Sequence, residues 1–179
     1  MGISVRVIGV GEISVVRDLI GRSVRGLQLE YTQAQREAAL RTVFTVDTRL
    51  VGDGGYFGAF SEDGVLVGCG GWSGRKTLYG GDHQVEGADA GWLDPAVDAA
   101  KVRAIFVDPE WARRGIGGML LRAAEDGARA AGFRRFEMGS TLSGVGLYRR
   151  EGYAEVGRIS VPVGDGESIE VVRMVKDGA

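Results

Sequence analysis

A chain of 179 residues with 44% hydrophobic and 26% charged side chains is long enough for one well-buried core and short for two, so a single domain spanning residues 1–179 is expected. A formal net charge of -2 gives no electrostatic reason to bind nucleic acid or an anionic membrane. One cysteine, Cys69, and one histidine, His83, provide neither an intramolecular disulfide nor a metal-ligand cluster, and a reducing cytoplasm is the expected compartment.

The opening stretch MGISVRVIGVGE alternates apolar and polar residues from Ile3 to Ile8 and reads as a strand, neither a signal peptide nor a membrane span. From Glu12 to Leu29 the residues Ile13, Val16, Leu19, Ile20, Val24 and Leu27 recur at helical spacing, with a break expected near Gly21 or Gly26. Thr32 is placed to cap a second helix running through Ala38 and Leu40. Together these helices are expected to form one wall of a cleft, with Glu30 and Tyr31 at their junction either meeting a substrate or serving as loop and packing residues. Tyr56–Ser61 and Val65–Ser73 flank Glu62-Asp63-Gly64 and read as a hairpin, in which Cys69 is a small buried apolar residue. Periodicity then stops. Residues 74–99 form a long aperiodic segment carrying Leu78, Tyr79, His83 and Trp92, expected to be a substrate-side lid or a dimer contact.

The run Val102–Leu121, VRAIFVDPEWARRGIGGMLL, carries the chemistry. It reads as a strand to Val107, a corner at Asp108-Pro109, a basic glycine-rich turn and a helix that begins inside the glycines. Such a helix start leaves several amides unpaired where the dipole favours negative charge, and Arg113 and Arg114 add charge-assisted donors. This is a phosphate cradle in outline. It lacks the Gly-Lys-Ser/Thr of a P-loop and the third glycine and following acid of a dinucleotide fingerprint. The helix presents Ile116, Leu120, Ala123, Ala124, Gly127 and Ala131 on one face. A strand at Phe133–Met138, a short helix through Tyr148 closed by Gly152, and a strand pair joined by residues 164–167 complete the chain. The order β-α-α-β-β-β-α-β-α-β-β predicts an α/β domain, a mixed, mostly antiparallel sheet of six or seven strands with helices on both faces.

Two blocks in this order carry a resemblance. Arg113-Arg114-Gly115-Ile116-Gly117-Gly118, after a strand ending Val107-Asp108-Pro109, resembles the acetyl-CoA-binding motif of the GCN5-related N-acetyltransferase (GNAT) family. Leu147-Tyr148-Arg149-Arg150-Glu151-Gly152-Tyr153 resembles that family's second signature. The resemblance implies the acyl-CoA N-acyltransferase fold and transfer of an acetyl group from acetyl-CoA, with no metal, to a primary amine, expected to be that of a small molecule. It further implies that the backbone of Ile105, Phe106 and Val107 pairs with the pantetheine, that the amides from Arg113 to Gly118 hold the pyrophosphate, and that Tyr148 is the general acid.

This chain departs from the family pattern at three places. Ala112 stands where Gln or Arg is frequent, and Thr141 stands where many members have Asn; Thr141 could still bond the cofactor. Lys101 and Arg103 occupy the central strand where some members carry a glutamate base. The base is therefore either a water relay or Glu137, a residue expected to pair with Arg135. Homodimerisation is compatible with the family. Two alternatives remain at this point: a non-catalytic acyl-CoA-binding regulatory module, and a protein or peptide N-acetyltransferase.

Overall fold

The structure, a computed structural model, describes residues 2–76 and 91–178. Its elements are β1 (Ser4–Val7), α1 (Ile13–Leu27), α2 (Gln33–Leu40), α3 (Thr48–Gly52), β2 (Tyr56–Phe60), β3 (Leu66–Ser73), β4 (Ala100–Val107), α4 (Ile116–Ala130), β5 (Arg135–Ser140), α5 (Val145–Arg150), β6 (Ala154–Gly164) and β7 (Glu167–Asp177). The seven strands among the described residues form one sheet in the order β1-β2-β3-β4-β5-β7-β6. Every pairing is antiparallel except that of β4 with β5. The predicted mixed sheet with helices on both faces is what is found.

One face of the sheet is covered by α1 and α3, whose Val16, Leu19, Ile20, Val24 and Leu50 pack with Tyr56, Cys69 and Phe106. The other is covered by α4, which sets Ile116 and Leu120 against Ala59 and Val67, and Leu121 and Ala128 against Phe136 and Met138. Each helix buries the stripe its sequence period marks out. A third cluster joins α2 to the β6–β7 hairpin through Ala38, Ala39, Val43, Val161 and Ile169.

Two local expectations are corrected. Helix α1 runs unbroken through both glycines. At Gly26 a Cβ would lie 2.6 Å from Pro109 Cγ, so this glycine admits the corner after β4 rather than ending the helix. Helix α3 was not anticipated, being a single turn too short to show a period. It forms because the Asp47 side chain accepts from the amides of Arg49 (3.1 Å) and Leu50 (3.2 Å), which satisfies two of the orphan donors at its start.

The same Asp47 binds Arg103 of β4, Nη1 to Oδ2 at 2.8 Å, with both side chains only 3% exposed. Burial pulls the guanidinium pKa below its ordinary value while Asp47 opposes that shift. Removing one partner of such a pair strands the other charge in the interior. Asp47→Ala is therefore expected to lower stability by about 3–5 kcal/mol, read as a fall in the urea midpoint at unchanged m-value.

Candidate active site

Strands β4 and β5 are in register only at Ala100↔Phe136 and Lys101↔Glu137. Beyond that they part, and the edge of β4 facing β5 has no strand partner. The departure coincides with a bulge. Ala104 adopts φ +57, and between the Cys69↔Phe106 and Gly71↔Arg103 pairs two residues of β4 stand opposite Gly70 alone. A small residue is required behind it, since a Cβ on Gly70 would meet Ile105 Cγ1 at 2.7 Å. The Tyr56 hydroxyl lies 3.2 Å from Cys69 Sγ and 3.5 Å from the Ala104 carbonyl. Burial pushes the Cys69 thiol up to about 12, so it is a packed, protonated group, as the sequence suggests.

The gap opens into a cavity of about 70 Å³, floored by β4 from Val102 to Phe106 and bounded by Met138, Thr141 and Tyr148. Val43, Phe44 and Thr45 close it from the stretch after α2, and Val161, Ile169 and Val171 close it from the terminal hairpin. These last two groups were not foreseen, because their sequence pattern is that of ordinary core. Of the three residues expected to offer backbone to a ligand, Ile105 and Phe106 line the cavity. The Val107 amide donates to Ser23 Oγ at 3.2 Å.

At the end of β4 the Asp108 side chain accepts from the Glu110 amide at 2.9 Å and the chain turns over Trp111. Arg113 (φ +62) and Gly115 (φ +83) adopt left-handed backbone. The Arg114 guanidinium stacks 4.7 Å from the centre of the Trp111 ring. The first bond within α4 runs from Met119 N to Gly115 O at 3.1 Å, so the amides of Ile116, Gly117 and Gly118 lie ahead of it. A Cβ on Gly115 would meet nothing within 4 Å. The turn is therefore open, cationic and rich in unpaired donors, and it fits a phosphate group. The other two glycines serve packing, since Cβ atoms there would meet Leu147 Cδ2 at 2.9 Å (Gly117) and the Arg122 and Glu151 side chains at 3.2 Å (Gly118).

Tyr148, on α5 beside Leu147, is 8% exposed and lines the cavity. Its ring meets Tyr153 edge-on at 6.0 Å. No hydrogen bond to its hydroxyl is found among the described residues, and burial pushes the phenol well above 10. Thr141 lies at the cavity wall, its Oγ1 3.4 Å from Ser143 Oγ. Tyr31, read as a possible substrate contact, instead braces this wall: its hydroxyl donates to Glu170 O (2.6 Å) and accepts from Leu142 N (3.1 Å).

Glu137 is placed elsewhere. Its carboxylate binds Lys101 Nζ (2.9 Å) and Arg173 Nε (2.6 Å), not Arg135, and it does not border the cavity. Burial works to raise its pKa, but the two cations prevail and hold it below the usual carboxylate range. It lacks the position and the basicity of a catalytic base. Most of the segment expected to be a lid or dimer contact, including His83, lies outside the described residues. Its described ends pair through an Arg75↔Trp92 bridge and a Leu93 N to Gly74 O bond of 2.7 Å.

Comparison with known proteins is decisive for the family. Residues 22–153 match the model of the Acetyltransferase (GNAT) family. The chain belongs to that family and is an acyltransferase. Similar solved structures include a GCN5-related N-acetyltransferase from Rhodopseudomonas palustris, at 19% identity over 99% of this chain and 96% of that one, TM-score 0.72. PaiA N-acetyltransferase from Thermoplasma acidophilum, in complex with coenzyme A, is 16% identical over 99% of each chain with a TM-score of 0.66. A GNAT superfamily phosphinothricin acetyltransferase from Sinorhizobium meliloti, in complex with AcCoA, is 20% identical over 100% of this chain and 90% of that one, TM-score 0.65. At these identities the likeness is one of fold. No curated protein matches the sequence.

A lowered carboxylate pKa stabilises the fold above the unfolded value and loses that contribution as pH falls through the folded one. Glu137→Gln should therefore cost about 1–3 kcal/mol at neutral pH and flatten the acid limb of a plot of stability against pH. Turnover should stay within about twofold of the wild type, whereas a catalytic base would be worth about 10²-fold or more.

Proposed function

We propose that the protein transfers the acetyl group of acetyl-CoA directly to the amine of a small molecule, with Tyr148 as general acid. One observation carries this reading: Tyr148, whose hydroxyl has no hydrogen-bond partner among the described residues, borders the same cavity as the unpaired edge of β4, behind an open cationic cradle. Acetyl-CoA supplies an activated carbonyl and a sulfur leaving group. The β4 edge at Ile105 and Phe106 offers hydrogen bonds to the amides of an extended ligand arm, in the manner of an added strand. The amides of Ile116 to Gly118, with Arg113 and Arg114, suit its pyrophosphate, and Thr141 offers a hydroxyl at the wall. The amine nitrogen bonds to the carbonyl carbon, the carbon–sulfur bond breaks, and the sulfur takes the Tyr148 proton. The amine proton leaves to water, and solvent reprotonates the phenol.

A phenol held above 10 by burial is fully protonated throughout the working range, as an acid must be. No carboxylate or imidazole lines the cavity among the described residues, which favours a water relay over a dedicated base. The naming of one structural neighbour for phosphinothricin agrees with a small-molecule acceptor.

Tyr148→Phe should lower kcat by about 10²-fold while calorimetric CoA affinity stays within about twofold, followed by thiol release with a panel of amines. Unchanged kcat would remove Tyr148 from the chemistry, and tight CoA binding with no thiol release on any amine would favour a binding module. Across pH, kcat/KM should rise along the titration of the free amine itself. A break near pH 4–7 belonging to the enzyme would instead reveal a side-chain base.

A further inference from the structure

Outside the cavity lies a groove of about 520 Å³ between α1 and α2, lined by Arg17, Asp18, Arg22 and Arg25 and sharing Phe44 and Thr45 with the cavity itself. The groove therefore adjoins the cavity across Phe44 and Thr45. Arg17, Gly21 and Arg25 are spaced i, i+4, i+8 and so form one stripe of α1.

Arg25 is paired with Glu37 at the surface. Glu37 accepts from its Nε and Nη2, each at 3.0 Å, a forked pair that holds the guanidinium plane. That leaves Nη1 without a partner among the described residues. Nη1 lies 3.1 Å from where a Cβ on Gly21 would stand, so the free edge of the guanidinium extends across the floor of the groove, where α1 has no side chain. Arg22 donates from Nε (3.1 Å) and Nη2 (3.0 Å) to a single oxygen, Oδ2 of Asp108. Each carboxylate orients an arginine and leaves one edge available. Arg17 has no partner among the described residues, and Asp18 is the one acid on the groove wall.

We infer that this groove selects an acceptor whose amine is joined to an oxyanion, a carboxylate or a phosphoryl group, with Arg25 as its principal anchor and Arg17 and Arg22 beside it. The inference rests on the acetyl-transfer reading above and names the substrate class that the reading leaves open. An amine entering the apolar cavity leaves its anion in the groove, where planar, pre-oriented guanidinium edges match an oxyanion's geometry. A polycation would find Asp18 as the one groove acid not already bound to an arginine among the described residues, since Glu37 and Asp108 are engaged by Arg25 and Arg22, and no carboxylate further in.

The test uses ω-amino carboxylates, ω-aminophosphonates, their neutral carboxamides and diamines, all of equal chain length, with acetyl-CoA and a thiol readout. An oxyanion-bearing series should exceed both carboxamides and diamines in kcat/KM by about tenfold, the worth of one charge-assisted contact, and the carboxylate and phosphonate arms distinguish the two anions. Arg25→Gln should raise KM for that series by about tenfold with kcat retained, leave KM for the carboxamides unchanged, and be partly rescued by Arg25→Lys. Since the Arg25–Glu37 pair is solvent-exposed, the variants should fold normally. Equal use of all series, or preference for diamines, overturns the anion assignment while leaving acetyl transfer intact. Bound CoA with no thiol release from any series overturns both.

Discussion

The parting of β4 from β5 is the constraint on which the rest of the structure depends. A parallel pair that stayed in register would close the sheet and satisfy both backbones. Here the pairing ends after Lys101↔Glu137, and left-handed backbone at Ala104 turns the strand away, at a cost of about 1–3 kcal/mol for a non-glycine residue. The surroundings hold it there: glycine at 70 makes room behind the bulge, and the buried Tyr56 hydroxyl lies beside the Ala104 carbonyl. Strain at this point is matched to a use. A β4 edge without a strand partner needs hydrogen bonds from another source, and the proposed extended, amide-bearing ligand would provide them.

The elements around the gap are tied to each other rather than merely placed near it. Gly117 belongs to the cradle by sequence, yet the contact that forbids a side chain there is with Leu147, the neighbour of Tyr148. The helix start suited to a phosphate and the helix carrying the proposed acid are thus packed in direct contact, which fixes the distance between the two ends of a ligand. Tyr31 does the same across the gap. Its hydroxyl joins the α1–α2 junction to the turn at Leu142 and to β7 at Glu170. Burial pushes this phenol up to about 12, so both bonds persist over the whole useful pH range.

What was legible in the sequence was local. The glycines announce the open start of α4 because helix-end geometry needs only neighbouring residues, and the stripes of α1 and α4 announce which face each helix buries. What was hidden depends on register and on distant partners. Glu137 looked like a partner for Arg135 within its own strand, but alternate residues of a strand point the same way without touching as cross-strand neighbours do. The structure supplies Lys101 from β4 and Arg173 from β7 instead. Asp47 gives no signal of being both a helix cap and the counter-ion of Arg103. Phe44 and Thr45, which join the cavity to the groove, look like the frayed end of α2 until the hairpin is folded onto them.

That no carboxylate lines the cavity among the described residues also has an energetic consequence for the proposed reaction. An ammonium group moving from water into a chamber walled by Val43, Phe44, Val161 and Val171 loses solvation, and desolvation favours the neutral amine. Arg103 acts in the same direction, since a guanidinium at the floor repels a second cation, although its pairing with Asp47 moderates the field. A carboxylate at that position would do the reverse, stabilising the ammonium and making the nucleophile harder to release. With Arg103 at the floor, the cavity would lower the proposed acceptor amine's affinity for its proton. On the proposed reaction, deprotonation would then be part of entry, completed by water at the mouth, with the guanidinium edges of the groove holding the far end of the acceptor.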